Sequence, residues 1–345
     1  MNSVLVVQLK RLGDLVLTTP ALNSLRKLYP TSEITLLIDR HSQALAPAIA
    51  DVDQIWVYRG PKSIWMNLLK ARFDLCLDFT GNDRSALISL FSKAPRRIGF
   101  SFLARRPFRS FAYTQLVSSQ VRDKHTVDHY LDLVRSLANF DSDADIRLQL
   151  PDRVRQSVSL LSGEFSLPAD YFVVHPGSAR AEKYWMTDRW AEVIAYARKR
   201  FKLPCIITGG KDPTELQHIN DILLKSGDRS AIFNLAGKID LLVGAALIER
   251  AAFFIGIDTV AAHLAAAFRR PSITLFGPTN PFHWHARHPR AIVVSAGFPG
   301  PIEHFDPRQK GAPMCELSTG VIIRAMEMLL KRHELESLKS KIDCK

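Results

Sequence analysis

Side chains able to do chemistry gather where the apolar runs of this sequence stop. The run 171–175 ends in His175-Pro176-Gly177-Ser178 and reaches Lys183 before Tyr184-Trp185. A turn of that kind presents backbone N–H groups to an anion, and a lysine adds a point charge suited to phosphate. The run 205–208 ends in Gly209-Gly210-Lys211-Asp212, with Glu215 in the turn that follows. Asp212 or Glu215 could accept from ribose hydroxyls; an acid at that point equally compensates a helix dipole. Leu235-Ala236-Gly237-Lys238 closes a third run, Asp258-Thr259 with His263 a fourth, and Gly277-Pro278-Thr279-Asn280-Pro281 a fifth. Five consecutive endings of this type point to a nucleoside diphosphate site in the second half of the chain.

The stretch 253–278, FFIGIDTVAAHLAAAFRRPSITLFGP, reads as strand, turn, helix, strand. Asp258 and Thr259 are N-cap side chains for an Ala-rich helix through Phe268, and Arg269-Arg270-Pro271 ends it. The first N–H groups and the dipole of such a helix suit a diphosphate, although capping alone would also account for an Asp-Thr pair. Thr259 and His263 fall on one helix face, where a histidine serves a core as readily as a ligand. Near the start of the chain, Lys10-Arg11-Leu12-Gly13-Asp14 follows the run 3–9. Gly13 allows a tight turn or a close approach, and Asp14 is either a carboxylate able to accept a proton or a helix cap. A GxGxxG pattern is absent, which argues against a dinucleotide dehydrogenase.

The elements that must carry these residues follow from the hydrophobic period. Strands are expected at 3–9, 33–38, 54–58 and 75–79, with helices from a Thr19 cap and Pro20 to Pro30, then at 62–71, 84–91 and 128–137. The mostly polar stretch 139–166 reads as inter-domain, with a short helix at 153–161. Strands return at 171–175, 205–208, 232–235, 253–257, 272–276 and 290–294. Between and after them come helices at 188–200 capped by Thr187, 214–225, 241–249 capped by Asp240, and 318–331 capped by Ser318. This alternation predicts two doubly wound parallel sheets in tandem, their strand ends facing a shared cleft. The expected domains are 1–150 and 170–332, with a linker at 151–169 and a charged tail at 333–345.

Composition agrees with a two-core globular protein, since 345 residues at 47% apolar content can fill two cores. No apolar run approaches the roughly 20 residues that span a bilayer, and the start of the chain shows no cleavage site, so a cytoplasmic protein is expected. Cys76, Cys205, Cys315 and Cys344 lie far apart and form no metal or disulfide pattern. The charge is 46 − 34 = +12, and it is concentrated. Between residues 93 and 124 eight basic residues, among them Arg105, Arg106 and Arg109, face the single acid Asp123, with Phe100, Phe102, Phe108, Phe111 and Tyr113 interleaved. Such a segment attracts polyanions, whether nucleic acid, anionic lipid head groups or a phosphorylated glycan, or else is a solvated basic face over buried aromatics.

In order along the chain, Lys10 to Asp14, Thr18-Thr19-Pro20-Ala21-Leu22, His175 to Ser178 with Lys183-Tyr184-Trp185, Leu235 to Lys238, Asp258-Thr259 with His263-Leu264-Ala265-Ala266-Ala267, and Leu275-Phe276-Gly277-Pro278-Thr279 closely resemble glycosyltransferase family 9. These are the ADP-heptose:lipopolysaccharide heptosyltransferases. The likeness runs from about residue 4 to 330, and its KxxGD, TTPAL and LAGK forms look more like the heptosyltransferase III branch. The resemblance implies a GT-B fold that binds the acceptor mainly with the first domain and ADP-heptose with the second. Asp14 matches the proposed general base of an inverting transfer. Lys183, Ser178 and the backbone at Thr259, Val260 and Ala261 match positions that hold the diphosphate, and Asp258 and His263 fall on the donor-site motif. Asp212 or Glu215 would take the ribose, and Lys238 would border the adenine. Lys10, Arg11, Gly13, Arg105, Arg106 and Arg109 would meet a phosphorylated lipopolysaccharide core at the inner face of the inner membrane. No metal or cofactor is expected. The sequence departs from relatives in having Val260-Ala261-Ala262 where a Gly or Pro is frequent, so its backbone should approach the phosphates less closely. Competing readings are a transferase for another nucleotide sugar and a non-catalytic polyanion-binding protein.

Overall fold

The computed structural model describes residues 1–60 and 62–342, without the side chains of Pro107, Phe108, Ser162 and those from 332 on. The chain divides into two compact units, Met1–Gln149 and Leu150–Lys345. The first contains β1 (Ser3–Gln8), α1 (Leu12–Leu28), β2 (Glu33–Asp39), β3 (Gln54–Tyr58), α2 (Lys62–Lys70), β4 (Leu75–Asp78), α3 (Asp83–Phe91), β5 (Arg96–Phe100), α4 (Pro107–Phe111), β6 (Gln115–Val117) and α5 (Thr126–Arg135). Its strands form one parallel sheet in the order β3-β2-β1-β4-β5-β6. Helices cover both faces of such a sheet, so its central strands are apolar throughout, and Val4, Leu5, Val6 and Val7 of β1 are all fully buried.

Two expectations for this unit are corrected. The basic segment, to which the hydrophobic period gives no assignment, supplies β5, β6 and α4, because strands of five and three residues are too short to carry a readable alternation. Residues Lys10 to Asp14 do not form one turn followed by a helix opening at Thr19. The helix opens at Leu12, and Thr19 and Pro20 lie inside it. A proline within a helix leaves the carbonyl four residues back without its N–H donor. Here that carbonyl belongs to Val16, and the Thr19 hydroxyl donates to it at 2.8 Å, so the chain repairs the break one residue away.

The second unit contains α6 (Asp152–Glu164), β7 (Phe172–His175), α7 (Thr187–Phe201), β8 (Cys205–Ile207), α8 (Pro213–Lys225), β9 (Ile232–Asn234), α9 (Leu241–Arg250), β10 (Phe254–Ile257), α10 (Val260–Ala267), β11 (Ser272–Phe276), α11 (Pro281–Trp284), β12 (Ala291–Ser295) and α12 (Thr319–Ile342). The sheet order is β12-β11-β10-β7-β8-β9, again wholly parallel. Read from the β9 edge, it repeats the strand order of the first unit. Both are the Rossmann order, which reverses between β1 and β4 in one unit and between β7 and β10 in the other. The stretch read as a linker holds α6, which docks on α9 through a forked pair of Arg155 with Glu249 at 2.9 and 3.0 Å. Helix α12 lies against α7, and Trp185 and Trp190 pack edge to face beside it, the Trp185 indole donating to Leu317 O at 2.9 Å. The backbone helix continues to Ile342, past its expected end at 331; the side chains of that tail and residues 343–345 lie outside the described residues.

Three expected side-chain caps are absent. Thr187, Asp240 and Thr259 stand at helix starts, yet none of their side chains accepts from the first-turn N–H groups. The Thr187 hydroxyl instead accepts from Lys225 Nζ, and the Thr259 hydroxyl points back to Ile257 O.

Candidate functional site

In a doubly wound sheet the strand ends at the reversal splay apart and leave room for a ligand. In the second unit these ends carry His175 to Ser178 from β7 and Asp258-Thr259 from β10. Lys183, in a short 3-10 turn after β7, reaches across with its Nζ 2.6 Å from Asp258 Oδ2 and 2.9 Å from Asp258 O. The Thr279 hydroxyl, beyond the end of β11, donates to the same Oδ2 at 2.8 Å. The pair is largely removed from water, the lysine side chain being 12% exposed and the aspartate 9%. An ammonium has three N–H donors and two are engaged by Asp258, so one remains for an incoming anion. Asp258 directly precedes Thr259, the N-cap residue of α10. No side chain caps that helix, so its opening N–H groups and its dipole add to the lysine's field.

Ser178, half-buried in the same loop, accepts from Arg180 N at 3.1 Å, while its carbonyl takes the Tyr184 hydroxyl at 2.9 Å. Glu215 is turned inwards and accepts from Gly210 N at 2.8 Å. Glycine is required around it: a Cβ on Gly177 would stand 2.1 Å from its Oε1, and one on Gly210 2.8 Å from its Oε2. Burial pushes the Glu215 carboxyl above its ordinary range, the Gly210 N–H opposes this, and the Asp212 charge adds to it. His175 Nε2 lies 4.0 Å from the same carboxyl, and its Nδ1 is 3.0 Å from the Thr208 hydroxyl. Burial lowers this histidine to about 4, so it is neutral near pH 7. Of the two acids read as ribose ligands, the exposed Asp212 has Oδ1 committed to capping α8 through Thr214 N and Glu215 N. Lys238 is exposed and folds back, its Nζ on Asn234 O at 2.9 Å and 5.8 Å above the Phe165 ring. His263 is buried within α10. The structure thus gathers Lys183, Asp258, Thr259, Val260 and Ala261 into one cluster, with Glu215 against Gly177 one residue from Ser178.

In the first unit Asp14 is the third residue of α1, close after the carboxyl end of β1. Its Oδ1 accepts from the Tyr130 hydroxyl at 2.6 Å. Lys10 Nζ lies 3.4 Å from that hydroxyl and 5.1 Å above the ring. Burial is the main influence on Lys10 and lowers its pKa, while Asp14 and Asp78 pull it back up. Asp78, at the end of β4, is fully buried and accepts from Thr80 N at 2.7 Å, Gly81 N at 3.1 Å and the Tyr113 hydroxyl. Burial raises its carboxyl despite those donors. Gly13 sits in the first turn of α1, and Arg11 is its exposed N-cap residue. The three arginines read as acceptor ligands separate: Arg109 is paired with Asp83 at 2.5 Å, while Arg105 and Arg106 stand exposed.

Tyr130 and Asp78 are the polar partners that sequence reasoning did not place in the site. Tyr130 is 116 residues from Asp14, and no local pattern links the two. Thr279, one of the strand-end residues read from the sequence, is brought onto Asp258 Oδ2. Among the described residues no group of three or more His, Cys, Asp or Glu is placed to hold a metal ion, and no helix is long and apolar enough to cross a membrane.

The family model for glycosyltransferase family 9 (heptosyltransferase) matches residues 62–306, a span that includes Lys183 and Asp258 and begins after Asp14. Lipopolysaccharide heptosyltransferase 3 of Escherichia coli is 25% identical over 297 residues, covering 83% of this chain and 86% of that protein. A crystal structure of a family 9 glycosyltransferase from Veillonella parvula superposes with a TM-score of 0.80 at 24% identity, covering 96% of this chain and 97% of that one. The E. coli heptosyltransferase WaaC with ADP-2-deoxy-2-fluoro heptose superposes with a TM-score of 0.70 at 20% identity, covering 94% of this chain and 99% of that one. The fold is the expected one, two Rossmann-type domains of the GT-B class.

Proposed function

This chain belongs to glycosyltransferase family 9, and on that footing we propose that it transfers heptose from ADP-heptose to a hydroxyl of the phosphorylated lipopolysaccharide inner core, with inversion. The observation that carries the donor half is the Lys183–Asp258 pair beside the uncapped start of α10. The relative complexed with an ADP-heptose analogue supports the same donor. Asp14 takes the proton of the acceptor hydroxyl as its oxygen bonds to the anomeric carbon. The bond from that carbon to the diphosphate breaks on the opposite face, and ADP leaves with the electron pair. Charge builds on the leaving phosphate, where Lys183 and the α10 N–H groups are already aimed and need no reorganisation. The protein supplies this field itself, and the proposed reaction invokes no metal or cofactor.

Arg105 and Arg106, exposed in the first unit, are the proposed contacts for acceptor phosphates, at the cytoplasmic face of the inner membrane. Membership of a glycosyltransferase family sets aside the reading of the chain as a non-catalytic polyanion-binding protein.

Calorimetric titration with ADP, ADP-heptose, UDP and GDP tests the donor. The adenine ligands alone should bind, and Lys183→Ala should weaken them by roughly 10- to 100-fold, the scale of a lost charge-assisted contact. Preference for UDP or GDP would withdraw the heptose assignment and point to another nucleotide sugar.

A further inference from the structure

We infer that Tyr130 is the positioning residue for Asp14, fixing the carboxylate so that Oδ1 is held and Oδ2 is the oxygen that receives the acceptor's proton. The inference rests on the reading of Asp14 as the base. Tyr130 lies on α5, the helix packed on α1, and is fully buried. Its ring is fixed edge-on against Phe79, with centroids 5.6 Å apart. Its hydroxyl has one hydrogen, donated to Asp14 Oδ1 at 2.6 Å, while Lys10 Nζ sits 3.4 Å from the phenol oxygen. A relay from ammonium to phenol to carboxylate polarises each bond along it. Burial and the Asp14 charge push the phenol well above its ordinary value, so the O–H remains a donor at every pH at which the protein works.

Few other groups can produce a pH dependence here. Lys10 and Tyr130 face Asp14 directly, and Asp78 stands behind Lys10 at the end of β4. His129, beside Tyr130, is lowered to about 3 by burial and is already neutral above pH 5. The 3-10 turn Arg40–Ala48, also packed on α1, carries Arg40 and His41, both exposed.

The test follows kcat and kcat/KM for the acceptor against pH in the full-length enzyme and in Tyr130→Phe and Asp14→Ala. Tyr130→Phe keeps the ring and removes only the donor. A carboxylate that loses a donor binds its proton more readily, so the acid limb of kcat/KM should move up by about one pH unit and kcat should fall about tenfold, with the donor KM unchanged. An unmoved acid limb, whether or not kcat falls, overturns the inference. Replacement of Tyr130 by 3-fluorotyrosine keeps the shape and strengthens the donor, so the limb should move the opposite way; this variant decides the matter if Tyr130→Phe does not fold. Asp14→Ala separates the two claims. If that variant turns over normally, the base assignment fails and the inference with it; if it is dead while the Tyr130→Phe limb stays put, the inference alone fails.

Discussion

Asp258→Asn removes one negative charge from the donor site and almost nothing of its shape. Lys183, only 12% exposed, would then face an amide where it now meets a carboxylate at 2.6 Å. Removing one partner of a buried pair costs about 3–5 kcal/mol, because the remaining charge is left uncompensated. The low end applies, since the backbone carbonyl of residue 258 still accepts from Lys183 at 2.9 Å. The second unit spans 345 − 149 = 196 residues, a size at which 1 kcal/mol moves the midpoint by about 2–4 °C. A loss of about 3 kcal/mol therefore lowers its Tm by about 6–12 °C.

The ligand response should change in the opposite sense. In the wild type a diphosphate must share Lys183 with a carboxylate that repels it; in Asp258→Asn the diphosphate supplies the charge that is missing. Saturating ADP should therefore raise the Tm of the variant by more than it raises that of the wild type. Differential scanning calorimetry with and without ADP reads both effects. An unchanged ligand-free Tm would refute the structural role of the pair. A lowered Tm that ADP no longer shifts would mean that Asp258 binds the donor itself instead of holding Lys183.

Three further outcomes are expected. Asp14→Ala should keep ADP-heptose affinity in calorimetry while kcat falls by about 10² to 10⁴, the usual worth of general-base help; turnover within a factor of two of wild type would remove Asp14 from the mechanism. Arg105→Glu with Arg106→Glu should raise the acceptor KM and leave donor affinity alone in a titration of initial rates, whereas Arg109→Glu should also lower Tm, because Arg109 is tied to Asp83. His129 and His175 are lowered to about 3 and about 4 in the folded state against about 6.5 when unfolded, so between those values the unfolded chain binds more protons. Stability should then rise with pH through this window and be lost on acidification, by about 2 kcal/mol for His129 at pH 5, and His129→Gln should flatten the fall of Tm from pH 6.5 to 5.

The alternation of the fold was legible because each of its signals is local. The run 272–276 was read with the bounds of β11, and the apolar stretches of β2, β3 and β10 lay within one residue of the observed strands. The start of α1 was not legible for the opposite reason. Thr19-Pro20 is a strong helix-opening signal, and the bond from Leu15 N to Arg11 O shows that the helix has begun two turns earlier. Strands β5 and β6 escaped because five and three residues are too few to show the alternation that marks a strand, and β5 opens on two arginines.

The candidate site divides along the same line. Lys183, Asp258 and Asp14 could be found as polar residues at strand ends, but what each does depends on partners 75 and 116 residues away. Those partners distinguish two acids that look alike in sequence. Asp258 Oδ2 is already taken by an ammonium and a hydroxyl. Asp14 is held through Oδ1 by one neutral phenol, and Lys10 faces both groups. A base needs an oxygen left for the proton. On those grounds Asp14 suits proton transfer and Asp258 suits holding a cation against a diphosphate.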